Sequence, residues 1–109
     1  MEFLRNLPVD HPEELAKLIE IRPGRVVSMA LSRSERCQMT LLAFCDGESV
    51  SEERYFGDTL YYVLEGSMPV YQEDKETVLR AGACMAVPAG VTHAIGGEGP
   101  FKLLQITVQ

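Results

Sequence analysis

A chain of 109 residues, 46% of them hydrophobic, has material for one core and no second domain. Ten Lys and Arg against sixteen Asp and Glu give a net charge of −6, which lacks the basic footprint that nucleic acid or an anionic membrane requires. No segment is apolar enough to span a bilayer, and residues 1–8 lack the charged-then-apolar pattern of a secretion signal, so a cytoplasmic location is expected.

Residues 9–21 carry the one helical signal in the chain. Asp10 and Glu13 have capping-box spacing, Pro12 suits a first turn, and Leu15, Leu18 and Ile19 share one face. Pro23-Gly24 ends the pattern. A helix this short is marginal alone, so it is expected to pack against the rest of the domain or a partner subunit. His11, at its start, is expected to be exposed and without a role.

From Arg25 onward the period changes to two, with Val27, Met29 and Leu31 on one face and Ser28 and Ala30 on the other. Residues 32–35 form a polar turn, and the near-continuous apolar run 39–44 predicts a strand covered on both sides. Asp46-Gly47 closes it. The acidic segment 48–58 reads as a loop or irregular strand, followed by a strand over 60–64 that ends in a turn at Glu65-Gly66. Residues 69–72 and 77–79 then form a hairpin about the charged turn 73–76. Short strands at 85–87, 93–95 and 103–108 complete the chain, separated by turns at Gly82, 88–90 and 96–100. Many short strands with turns between them predict an all-β sandwich or barrel over residues 25–109, preceded by an N-terminal arm over 1–24.

Cys37, Cys45 and Cys84 are widely spaced with no C-x-x-C pair, so neither a zinc ribbon nor a thioredoxin-type site is encoded. Free buried thiols in a reducing compartment are expected. Cys84 has no electropositive neighbour in sequence that would activate it.

The densest signal is Gly82, Pro88, Gly90 and His93: a glycine, five residues, Pro-x-Gly, two residues and a histidine. Gly82 and Gly90 supply backbone freedom at turns, while Pro88 restricts its own, and together they aim the following strand. Gly47 and the run Val63-Leu64-Glu65-Gly66 frame a second pattern upstream. Over residues 36–108 these two patterns resemble the paired motifs of the cupin family. The resemblance implies a double-stranded β-helix, or jelly-roll barrel, built around a pocket into which His93 points.

It also implies a depleted ligand set. Counted back from Gly66, the family's glutamate ligand falls on Thr59 and its paired histidines fall on Glu53 and Tyr55. One histidine, His93, remains of the usual three, and Gly97 stands where an asparagine is frequent. The pair Gly57-Asp58 is similar to that of small cupins with a Gly-Asp loop.

The candidate pocket residues are therefore His93, Glu53, Tyr55, Thr59 and Tyr61. Period two puts Thr59, Tyr61 and Val63 on one face and Tyr62 and Leu64 on the other. Tyr61 suits a small organic ligand through its aromatic body and hydroxyl tip, or fills the core with its hydroxyl at the barrel mouth. Glu53 either points inward or is a solvated loop carboxylate. His93 and Glu53 could together hold a divalent Mn, Fe, Ni or Zn ion, although such ions want three or four protein ligands. Facing each other without metal, the same pair could serve general-base chemistry; metal-independent cupins such as sugar epimerases are similar in outline.

Two functional classes follow. The first is a small cupin that binds a small organic molecule in its barrel, with catalysis left open. The second is a metal-dependent cupin enzyme of oxygenase or isomerase type. A sensor domain working with a DNA-binding partner on another chain is a third, and no helix-turn-helix pattern is present for direct DNA contact. The apolar strand at 26–31, with an edge free to extend a neighbour's sheet, and the habit of small cupins together imply a homodimer.

Overall fold

Alternating apolar residues separated by turn residues resolve into eight antiparallel strands in a computed structural model describing residues 1–109. They are β1 (Val26–Ala30), β2 (Cys37–Phe44), β3 (Ser49–Glu53), β4 (Asp58–Gln72), β5 (Lys75–Arg80), β6 (Cys84–Val87), β7 (His93–Gly96) and β8 (Phe101–Val108). The order is β1-β2-β8-β4-β7-β3, with β5 and β6 also pairing to β4. The sheet curls so that its inward residues form one core.

Strand β4 joins the two halves. Its first part pairs with β8 and β6, and its second part with β5 and β7. Glu65-Gly66, read from sequence as a turn, does not reverse the chain. It is an irregularity within a strand of 15 residues, where the register to β8 shifts between Val63 and Glu65. Gly66 has φ +77, and a Cβ there would run into the carbonyl oxygen of Pro100. A glycine is needed both for the backbone angle and for this close approach.

The β4–β5 turn is also tighter than the charged run suggests. Gln72 pairs with Lys75, so only Glu73 and Asp74 lie in the turn, and Lys75 and Glu76 belong to β5. The segment 48–58 contains a regular strand, β3, with a bulge.

Strand parity builds the core. Phe44, Tyr61, Val63, Met68, Val70, Leu79, Val87, Ile95, Phe101 and Leu103 pack together inside, with the Phe44 and Phe101 rings stacked at 4.5 Å. The opposite face of β2 is buried too, through a smaller cluster of Ile19, Leu31, Leu41 and Ala43. Leu7, Leu15, Leu18 and Ile21 of the arm cover this outer cluster.

The arm docks largely without helix. Only Leu15–Leu18 forms a 3-10 turn, and its N-cap, Glu14, makes no side-chain capping bond. Asp10 instead bonds His11 at 2.7 Å. Burying Leu15, Leu18 and Ile19 on a preformed sheet outweighs the weak propensity of so short a helix. The Lys102 ammonium donates to the Ala16 carbonyl at 2.7 Å, satisfying one orphan acceptor of the turn.

Further forward, Arg5 N–H donates to Leu31 O and Arg33 N–H to Phe3 O. The chain's own first residues thereby close part of the edge that follows β1. Cys37 and Cys45 are partly buried, but Cys84 is exposed, because it lies on the outer face of β6 opposite Tyr62.

Candidate functional site

Three strands bring the site together. In β4, Thr59, Tyr61 and Val63 are buried while Leu60 and Tyr62 face outward, as alternation requires. Strand β7 starts at His93, delivered by the turn at 88–92, where Gly90 has φ +81. That turn is tied to the segment before β4: Gly90 N–H donates to Tyr55 O at 2.9 Å, and Ala89 N–H to the Asp58 carboxylate at 2.8 Å.

In β3, Val50 pairs with Ile95 and Glu53 with His93, so the strand carries one extra residue between them. Without this bulge, Val50 and Glu53 would face opposite sides. With it, both line the same interior cavity.

That cavity has a volume of about 20 Å³ and is walled by Val50, Glu53, Tyr55, Tyr61, His93, Ile95 and Gln105. The Tyr61 hydroxyl and His93 Nε2 are 2.7 Å apart, and His93 Nδ1 is 3.0 Å from the Val91 carbonyl oxygen. A carbonyl can only accept, so Nδ1 donates to it, and in the neutral imidazole Nε2 then accepts from the tyrosine. Burial foremost, then the nearby Tyr55 phenol and Glu53 carboxylate, push the Tyr61 hydroxyl well above the ordinary phenol range. It remains a donor at any neutral pH. The His93 ring lies between two aromatics, with centroids 5.6 Å from Tyr61 and 5.9 Å from Tyr55.

Tyr55 also lines an outer cleft of about 450 Å³ with Arg54, Phe56, Ala89 and Gly90. Tyr55 thus lines both the interior cavity and the outer cleft. A larger groove of about 690 Å³ runs between the β4–β5 turn and Gly90–Thr92, but it holds solvated turn residues and none of the site's side chains.

Glu53, Tyr55, Tyr61 and His93 thus come together. Thr59 does not join them: its hydroxyl is buried against that of Thr107 at 3.0 Å, outside the cavity wall. Gln105 is a cavity residue that sequence reasoning missed. Its signal was the alternation Phe101, Leu103, Gln105, Thr107 along β8, which puts one amide among inward residues.

The donor set does not fit a resident transition metal. No three His, Cys, Asp or Glu side chains approach one another closely enough to hold an ion. Both imidazole nitrogens are already engaged, and Glu53 is the one Asp, Glu or Cys in the cavity wall.

A curled antiparallel sheet, crossed by one long shared strand and enclosing a histidine-centred pocket, defines the jelly-roll barrel class. Residues 46–107 match the Cupin domain family, and the chain belongs to it. It is similar to a cupin superfamily protein from Desulfitobacterium hafniense DCB-2, with 51% identity over 96% of each chain and a TM-score of 0.93. It is also similar to a cupin 2 conserved barrel domain protein from Leptotrichia buccalis, with 33% identity over 87% of this chain and 46% of that one and a TM-score of 0.84. A conserved protein of unknown function from Streptococcus pyogenes shares the fold at 19% identity, covering 100% of this chain and 96% of the other with a TM-score of 0.94. No curated protein matches the chain.

Proposed function

We propose that this protein binds a small polar organic molecule at the mouth of its barrel, without a metal. The observation that carries this reading is the Tyr61–His93 hydrogen bond of 2.7 Å, which occupies the nitrogen a metal would need and presents the tyrosine oxygen to the cavity. An interior of about 20 Å³ holds roughly one water-sized group. The body of the ligand therefore rests in the outer cleft of about 450 Å³, within the size range of small-molecule sites, and one polar group passes Tyr55.

The test is a screen of small amines, polyols and carboxylates against metal-stripped protein, read by backbone amide shifts. Saturable shifts at Glu53, Tyr55, Gly90 and His93 are expected. Binding only after a transition metal is restored would overturn the reading.

A second reading, a metal-dependent oxygenase or isomerase, draws on the pairing of Glu53 with His93 across the β3–β7 ladder. It requires a tightly held stoichiometric ion and displacement of the Tyr61 hydroxyl from Nε2.

We also propose a homodimer. The outer sheet face beyond the arm leaves Leu60, Tyr62 and Val108 exposed at 36%, 37% and 52%, on neighbouring strands β4 and β8. Covering such a face removes apolar surface from water. Light scattering at micromolar concentration reads the mass directly, and a monomer would refute the dimer.

A further inference from the structure

We propose that the cavity takes the protonated amine of a small primary ammonium compound, an inference that rests on the ligand-binding reading above and names its ligand class. The Tyr61 hydroxyl proton is committed to His93 Nε2, and the Nδ1 proton to Val91 O. Both ring nitrogens and the phenolic proton are therefore closed to a ligand. What remains toward the cavity is the Tyr61 oxygen and the Glu53 carboxylate, both acceptors, together with the Tyr55 hydroxyl and the Gln105 amide, each able to donate or accept. Glu53 is the only formal charge in the wall.

An incoming carboxylate meets like charge and at most two neutral donors, Tyr55 and Gln105. A hydroxyl offers one proton to two or more acceptors. An ammonium offers three protons, a charge-assisted bond to Glu53 and contact with the Tyr55 and Tyr61 rings.

Size narrows the class further. About 20 Å³ accommodates one heavy atom with its hydrogens, so a primary ammonium enters and a trimethylated one does not. Arg54 lines the outer cleft and not the cavity, which places its positive charge beside the ligand's remaining atoms.

The experiment titrates the metal-free 109-residue chain with n-propylammonium, tetramethylammonium, 1-propanol and propionate, following the amide signals of Glu53, Tyr55 and His93. Propylammonium is expected to saturate these shifts with at least ten-fold higher affinity than propanol. Tetramethylammonium and propionate should leave them unmoved. Glu53→Gln, which keeps the shape and removes the charge, should lose at least ten-fold of that affinity, while Glu53→Asp retains part of it. Unchanged amide dispersion in both variants verifies that they fold.

Propanol or propionate binding as well as propylammonium at these residues would overturn the inference and leave the binding reading standing. Equal propylammonium affinity in Glu53→Gln would do the same. Silence from all four probes would overturn the inference, and the binding reading falls with it only if the wider screen is silent too.

Discussion

Glu53 stands opposite His93 because β3 carries one residue more than β7 between the Val50–Ile95 pair and the His93 position. A regular ladder would put Glu52 there. The bulge decides which of two adjacent carboxylates enters the barrel, so the pair makes a sharp test. Glu52→Ala should change stability by less than about 0.5 kcal/mol, as for most surface substitutions, and leave the His93 imidazole signals in place. Glu53→Ala should move the signals of both His93 and Tyr61. Imidazole proton spectra of the two variants check this.

Tyr61 gives the fold an alkaline limit. Its folded pKa lies above the ordinary phenol value of 10.0, chiefly through burial. Below that value both folded and unfolded chains hold the proton, and the contribution is complete. Above it the unfolded chain ionises first, so stability falls as pH rises, by up to about 1.4 kcal/mol per pH unit, until the folded phenol also ionises. Tyr61→Phe should remove this part of the pH dependence. At neutral pH it should cost about 1–3 kcal/mol, because buried His93 Nε2 loses its donor. Urea midpoints from pH 8 to pH 11 for both proteins measure the effect.

Much of the fold was legible. Alternation located the cores of β1 and the first part of β4, the apolar run 39–44 located β2, and Gly82, Pro88, Gly90 and His93 located the turn that delivers the histidine. The failures have physical causes. Asp10, Pro12 and Glu13 make a sound helix start, but no tertiary contact can be read from local signals, and docking Leu15 and Ile19 on the sheet decided the arm's shape. Glu65-Gly66 looked like a turn because positive-φ glycine serves turns and bulges alike. In the site, Glu53 was ambiguous because a bulge reverses parity and leaves no mark in composition. Gln105 was passed over because an amide carries little weight beside a histidine.

The buried hydroxyl pair of Thr59 and Thr107 predicts a coupled mutant cycle. Thr59 and Thr107 bond only each other through their side chains, at 3.0 Å in a buried setting. Thr59→Val should cost about 1–3 kcal/mol by stranding the Thr107 hydroxyl. The double change to valine should be less destabilising than the sum of the singles, by about 0.5–3 kcal/mol. Denaturant unfolding of the four proteins closes the cycle.

Gly66 and Gly82 share a positive φ but not a neighbourhood. A Cβ at Gly82 meets nothing, whereas one at Gly66 meets Pro100 and Phe101. Gly82→Ala should cost about 1–2 kcal/mol of backbone strain alone. Gly66→Ala should cost about twice that or more, since β4 must also move away from β8. Thermal unfolding of both variants separates strain from collision.

In the proposed function the barrel site works through a Tyr61–His93 pair with no metal. Long-range proton–nitrogen spectra of the imidazoles test it most directly, recorded on metal-stripped protein before and after one equivalent of Zn²⁺. A proton on His93 Nδ1, a bare Nε2 bonded to the tyrosine, and no change in either when zinc is added are expected. An Nε2 signal displaced by zinc in wild type, but not in a Glu53→Ala variant, would contradict it and put the metal-dependent reading first.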